Sequence, residues 1–344
     1  MATIQERKAD HLRINLERDV KATRNPWDDI RLRHNALPEI DRDEVHLGLD
    51  LLGRPLNAPI VISGMTGGAP EAQRVNRHLA QAAAELGLAM GVGSQRAALV
   101  QPDLEPTYSV VKEFDVPLRI ANIGLPQLIQ WGADESVRRA RHCVEMVDAH
   151  AMAVHLNFLQ EAVQPEGDTD ARGGLKALTD LAKVFRVPLI AKETGAGISA
   201  TVARALLRTG VKAIDVGGWG GTSFSAVEVY RAEQQKDQLR ARLGTTFWDW
   251  GIPTPIAVRE VSEVADGKVQ VIATGGIRNG LDAAKALALG ADAVGVAGAI
   301  LPAAAQSYDA TLRELRFFVE ELRTALFLGG CANLEQWWRS SMLL

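Results

Sequence analysis

Residues 151–161 read AMAVHLNFLQE, and the fold turns on how these residues alternate. In an extended strand, successive side chains point to opposite faces. Ala153, His155 and Asn157 then share one face, while Met152, Val154 and Leu156 share the other, which is purely apolar. A strand with hydrocarbon on one side and polar groups on the other suits a barrel wall. Its apolar side packs under helices and its polar side looks into a site. Gln160 and Glu161 follow where the strand should end. Four groups able to hydrogen-bond, titrate or ligate therefore converge at one rim.

Runs of the same kind recur on both sides: PIVIS (59–63), LAMGVGS (88–94), PLRIANIG (117–124), PLIAKE (188–193), AIDVGG (213–218), VQVIATGG (269–276) and DAVGVAG (292–298). With 151–157 they make eight candidate strands. Most intervals carry a helical pattern: 72–86, 136–149, 174–185, 201–209, 254–265 and 281–289. Strands alternating with helix-sized connections form a parallel sheet. Eight such units predict an α/β fold, a (β/α)₈ TIM barrel. The competing doubly wound sheet would carry a nucleotide fingerprint in its first turn, and none is present. Residues 1–58 are expected to form a helical or loose N-terminal arm and a small hairpin capping the barrel bottom. Residues 59–344 are expected to form the barrel, with a terminal helix over 312–328. Two stretches interrupt the alternation, 164–173 and 226–251. Both follow strands, so both are expected at the mouth.

Composition narrows the class. The chain has 344 residues, 47% hydrophobic and 23% charged, as in an ordinary globular protein. A net charge of −4 offers no basic footprint for nucleic acid. Cys143 and Cys331 are too few for a disulfide framework, which points to a reducing, cytoplasmic home. No apolar stretch reads as a membrane span; the longest, 286–305, contains Asp292, Pro302 and glycines.

Barrel chemistry sits at the C-terminal strand ends. Loops after the seventh and eighth strands commonly bind phosphate through backbone N–H groups, and both are glycine-rich here: Gly275-Gly276-Ile277-Arg278 and Ala297-Gly298. Together they point to a phosphorylated ligand. Lys192 has two readings: a structural pair with Glu193 or Asp215, or a cation under an anionic ring or phosphate. Glu161 is either a solvated loop carboxylate or a ligand for a hard cation such as Mg²⁺ that also holds a phosphate. His155 is a satisfied core histidine or a site residue. Arg7, Lys8 and His11 are a solvated basic run or an arm that closes over an anion.

Taken together, RKADHL (7–12), SGMTGG (63–68), GSQRA (93–97), NIG (122–124), HLNFLQE (155–161), KETGAGIS (192–199), GGTS (220–223), DWGIPT (249–254) and ATGGIRNG (273–280) resemble the type 2 isopentenyl-diphosphate Δ-isomerases, which are FMN-dependent barrels. The resemblance spans nearly the whole chain. It implies FMN contacts at Ser63, Met65, Thr66, Gly67, Ser94, Asn122, Lys192, Thr222, Gly276, Ile277, Arg278, Ala297 and Gly298. It implies substrate contacts at Arg7, Lys8, His11, Ser94, Gln95, Arg96, His155, Asn157 and Gln160, and Mg²⁺ at Glu161. Gln160, His155 and Lys192 are the catalytic candidates. The segment Arg231–Arg242 matches no motif and receives no role.

The implied reaction interconverts isopentenyl and dimethylallyl diphosphate by a 1,3-allylic proton shift. Protonating an unactivated alkene is hard for side chains near neutral pH. Reduced FMN, with NADPH as reductant, is the implied source of that chemistry. A homotetramer or homo-octamer is implied on the same ground. An FMN-dependent 2-hydroxy-acid oxidase would need a histidine base beside an arginine after strand six, where this chain has GGWGGTS (217–223). An IMP-dehydrogenase-like enzyme would need a cysteine there. A non-catalytic flavin or phosphate sensor would keep the phosphate loops and have no need of Glu161, Gln160 and the basic arm together.

Overall fold

The computed structural model describes residues 4–344. A hairpin, β1 (Leu49–Leu51) and β2 (Arg54–Leu56), precedes eight strands: β3 (Ile60–Ile62), β4 (Ala89–Gly91), β5 (Leu118–Gly124), β6 (Ala151–His155), β7 (Leu189–Lys192), β8 (Ala213–Asp215), β9 (Gln270–Thr274) and β10 (Ala293–Val296). These eight pair in parallel and in chain order, and β10 returns to β3 to close the barrel. Each predicted strand is present, shortened at its ends.

Alternation sorts the side chains as the β6 sequence requires. Met152 and Val154 join the large core between strands and helices. Ala153 turns inward with Val61, Ala89, Ile120, Ile190, Ala213, Ile272 and Ala293. This apolar interior is plugged from below by Leu51 and Leu56 of the hairpin, both buried. The hairpin turn, Leu52-Gly53, has positive φ at both positions (54° and 78°), the geometry that matches strand twist in two-residue loops. Gln270 fixes it to the barrel, accepting from Leu52 N and donating to Asp50 O.

Two outer elements differ from expectation. The helix expected at 136–149 begins earlier, at Leu125, with a break at Gly132 (φ 72°, ψ 179°). The terminal helix runs Tyr308–Leu328 and is followed by a further short helix, Leu334–Arg339, whose Trp337 is buried and donates to Ala284 O. At the other end of the chain, the helix Ile4–Glu17 packs against the helix Phe224–Gln234.

Candidate active site

Two residues beyond each inward apolar residue, the chain places the layer above it: Ser63, Gly91, Asn122, His155, Lys192, Asp215, Thr274 and Gly295. Strand periodicity alone makes this layer face the lumen. Ser63, Asn122, Lys192 and Asp215 line one cavity above Val61, Ile120, Ala153, Ile190 and Ile272. Lys192 and Asp215 are register partners on β7 and β8, and their charged atoms meet at 2.8 Å. Asn122 Oδ1 lies 2.8 Å from His155 Nδ1. Ser63 Oγ, Thr66 Oγ1 and Thr274 Oγ1 are buried with no hydrogen-bond partner. Buried hydroxyls are normally satisfied, so three orphans at one lumen end mark a place built for a polar ligand. Gly295 keeps that space open, since a Cβ there would stand 1.9 Å from Thr274 Oγ1 and 2.6 Å from Ser63 Oγ.

Above β6 a second network begins. Asn157 adopts the left-handed conformation (φ 54°, ψ 28°) and turns the chain into the short helix Phe158–Val163. Its Oδ1 accepts from Thr194 Oγ1, and its Nδ2 donates to Gln160 Oε1 at 2.7 Å. Gln160 Nε2 donates to Glu228 Oε1 at 2.7 Å, and His11 Nε2 meets the same oxygen at 3.0 Å. Arg231 joins Glu228 to Glu166, and Arg7 reaches Glu166 at 3.7 Å. Arg96 lies 3.9 Å from Asp168. Glu161 Oε2 accepts from Gln164 Nε2 and from Asp168 N, both at 2.7 Å.

Burial and charge set the protonation states. Burial pushes the His155 imidazole down to about 3, reinforced by Lys8, Lys192 and Arg96, so His155 is neutral. Burial, then Arg7 and Arg96, lowers Lys8 to about 7. Burial drives Glu228 upward, but His11, Arg231 and Gln160 more than offset it and hold the carboxyl at about 2. Burial also lowers His11, against the pull of Glu228, which fits a neutral ring donating to a carboxylate. Glu161 is raised by burial, with Asp168 N, Gln164, Arg7 and Arg96 opposing.

Among the residues picked out from sequence, Arg7, Lys8, His11, Arg96, His155, Asn157, Gln160 and Glu161 gather at one side of the mouth. Ser63, Thr66, Asn122 and Lys192 lie in or beside the polar layer. Met65 is half-buried next to it, and Gly67 has φ 148° and no room for a Cβ, which would fall 2.0 Å from the Tyr108 ring. Ser94 shares the rim after β4, its carbonyl accepting from Tyr108 Oη. Thr222 Oγ1 approaches Gly298, bringing the loops after β8 and β10 together.

One assignment changes. Gln95 is fully buried; its amide donates to Cys143 O and Met146 Sδ and accepts from Asn122 N. Its side chain turns into the helix layer and holds Asn122 in place, so it does not reach the mouth. Arg278 gives its guanidinium to Asp28 and Asp282, and Ile277 packs into the core, which leaves backbone N–H groups, as expected for this loop, as the means of meeting a phosphate. The residues missed were Glu228, Glu166 and Arg231. Glu228 and Arg231 are buried within the helix Phe224–Gln234. Their i,i+3 spacing was the available signal.

The polar layer fits FMN: an apolar floor, orphan hydroxyls, a lysine, and glycine loops after β8, β9 and β10. Glu161 fits Mg²⁺ in the manner usual for that ion, with one carboxylate and the remaining positions left to water and phosphate oxygens. No group of three or more His, Cys, Asp or Glu able to hold a metal occurs among the described residues.

The FMN-dependent dehydrogenase family profile matches residues 12–102 and 112–343. The chain is 47% identical over 332 residues to the isopentenyl-diphosphate delta-isomerase of Thermoplasma acidophilum, covering 96% of this chain and 94% of that one. It is 48% identical over 346 residues to the enzyme of the same name from Methanothrix thermoacetophila, covering 100% and 94%. Among solved structures, a mandelate oxidase superposes with a TM-score of 0.63 at 19% identity, covering 97% of this chain and 91% of the other. A lactate oxidase of Pediococcus acidilactici gives 0.66 at 15%, covering 97% and 86%. The oxidases share the fold, and the isomerases share the sequence nearly end to end. The chain belongs to the FMN-dependent dehydrogenase family and, within it, to the type 2 isopentenyl-diphosphate delta-isomerases.

Proposed function

We propose that this enzyme interconverts isopentenyl diphosphate and dimethylallyl diphosphate by a 1,3-allylic proton shift, using reduced FMN, Mg²⁺ and NADPH as reductant. One observation carries the reading. Neutral His155, in the lumen layer with the orphan hydroxyls, and Gln160, in the network above it, lie on the side of the mouth that carries Arg7, Lys8 and Arg96. A hydrocarbon tail above the layer and a diphosphate at the cluster would use both.

Reduced FMN supplies, when bound, the proton donor and acceptor that these side chains lack. With a pKa near 3, His155 is no general acid at neutral pH. Its neutral ring instead fixes Asn122 and offers Nε2 to the substrate side. Gln160 carries no titratable proton; its amide is oriented by Asn157 and Glu228, so it presents one fixed polarity. Lys192, paired with Asp215, would hold the anionic edge of the reduced ring. Ser63, Thr66 and Thr274 would satisfy its polar atoms. Glu161 with Mg²⁺ would anchor the diphosphate, aided by the buried and unpartnered Nε of Arg7.

Assembly as a homotetramer or homo-octamer and a cytoplasmic location are part of the proposal. Among the described residues no helix is long and apolar enough to cross a membrane. The test is anaerobic: protein, FMN, NADPH, Mg²⁺ and isopentenyl diphosphate are combined, and each component is omitted in turn. Dimethylallyl diphosphate should form only in the complete mixture. Oxygen uptake with lactate or glycolate, and no isomerisation, would assign the site to hydroxy-acid oxidation instead.

A further inference from the structure

After the N-terminal helix, residues 20–28 run as a strap along the loops that follow β8 and β9. Lys21 bridges Thr222, with Ala22 N donating to Gly221 O and Ser223 N donating to Val20 O. Pro26 covers Gly220, where a Cβ would lie 2.4 Å from its Cδ. The strap then meets the loop after β9. Trp27, fully buried, donates Nε1–H to Gly275 O at 2.8 Å. Asn25 Nδ2 donates to Gly276 O at 2.7 Å, while its Oδ1 accepts from Trp27 N at 3.0 Å, which fixes the amide the right way round. Lys285 Nζ holds Trp27 O at 2.7 Å, and Arg278 holds Asp28.

These bonds dictate where the loop amides point. In a trans peptide the carbonyl and the following N–H are directed to opposite sides. With Gly275 O and Gly276 O turned toward the strap, the N–H groups of Gly276 and Ile277 face away from it. Neither N–H has an acceptor among the described residues. Gly275 and Gly276 both have positive φ (122° and 72°), so this arrangement is open to glycine and strained for other residues. Two consecutive free amides aimed one way form an anion-binding concavity.

We propose that Asn25 and Trp27 are positioning residues for the flavin phosphate: they clamp two carbonyls from behind and so preset the Gly276 and Ile277 amides before the cofactor arrives. The inference rests on the proposed FMN site and goes beyond it by assigning work to a segment outside the barrel.

Riboflavin, which lacks the phosphate, provides the control. Flavin affinity is measured by fluorescence quenching on apo-protein for FMN and for riboflavin. Asn25→Asp keeps the acceptor for Trp27 N but sets an oxygen against Gly276 O; Trp27→Phe keeps the ring and removes the donor. Each should weaken FMN by about tenfold, as expected for losing one well-placed bond, with riboflavin changed less than about twofold. Riboflavin binding also reports that the barrel is folded. Equal weakening of both flavins, or no change in either, overturns the proposal. Gly276→Ala separates the two levels, because its Cβ would lie 2.6 Å from Gly220 O. If that variant retains the full preference for FMN over riboflavin, the phosphate site itself is misplaced and the strap's role falls with it. If Gly276→Ala loses the preference while both strap variants keep it, only the strap's role fails.

Discussion

Around the upper rim, the loops after β8, β9 and β10 present backbone, whereas the segments after β4 and β6, with the N-terminal helix, present long charged side chains. The proposed flavin side is shaped by glycines that leave no room for a Cβ and by amides with no internal acceptor. The proposed diphosphate side is built from guanidinium groups already engaged by Glu166, Asp168 and Glu228. A backbone site is rigid and ready at little cost in ordering. A side-chain site must keep its cations folded in when no anion is present, and these carboxylates do that, with Glu228 fully buried and Glu166 and Asp168 nearer the surface. The two halves should therefore fail in different ways.

The largest effect is expected at Glu228, which is 1% exposed and serves His11, Gln160 and Arg231 at once. Glu228→Ala leaves the buried Arg231 guanidinium with Glu166 as its remaining carboxylate and removes the acceptor of His11 and Gln160, a loss of about 3 kcal/mol in chemical denaturation. FMN affinity should stay near wild type, because the change lies wholly on the diphosphate side. A large loss of flavin with unchanged stability would erase the distinction. The depressed carboxyl adds a pH signature. Its stabilising contribution is fully present above the ordinary carboxylate range and disappears as pH falls through about 2. The wild type should lose more stability than Glu228→Gln across that acid window.

Lys192 is the exception that sharpens the contrast, a charged side chain on the flavin side. Lys192→Ala leaves Asp215 buried without its partner. Flavin binding should weaken by roughly two orders of magnitude, the cost scale of an unpaired buried charge. A fully loaded, active variant would show that backbone alone makes that half. Glu161→Gln is the matched change on the other side. The Mg²⁺ needed for half-maximal activity should rise at least roughly tenfold, a loss that even outer-shell partners of a metal can produce, while the bound FMN spectrum is unaltered. An unchanged Mg²⁺ requirement would remove Glu161 from the metal site.

The same contrast explains what could be read in the sequence. Strand alternation and glycine-rich ends located all eight barrel strands, because both are local and periodic. Pro126 and Gly132 hid the first turns of the helix Leu125–Val147. A proline in the first turn begins a helix, though it resembles a breaker. Gln95 was misplaced since its neighbours Ser94 and Arg96 belong to the mouth; which face a residue takes after a strand ends is decided by packing, here against Cys143 and Met146. Glu228 and Arg231 were passed over inside a charged helix, where an i,i+3 pair is usually solvated. The arm's helix and the segment after β6, packed on that helix together, make the pair a buried hub.

The smallest effect is a proton. Lys8 has no hydrogen bond or ion pair among the described residues, and burial beside Arg7 and Arg96 lowers it from 10.5 to about 7. Between those values the unfolded chain binds more protons than the native one. Stability in the absence of ligand therefore rises with pH across that window, and Lys8→Met should flatten the rise. A diphosphate near Lys8 favours the ammonium, so binding at pH 8 should take up a fraction of a proton. Calorimetry in two buffers of different ionisation enthalpy measures it. Comparison with Lys8→Met cancels the ligand's own titration. FMN binding, which the proposal assigns to backbone amides after β9, should show no difference between wild type and Lys8→Met. Equal proton uptake on diphosphate binding by both proteins would mean that Lys8 is already charged before the anion arrives, and that the diphosphate side is as preset as the flavin side.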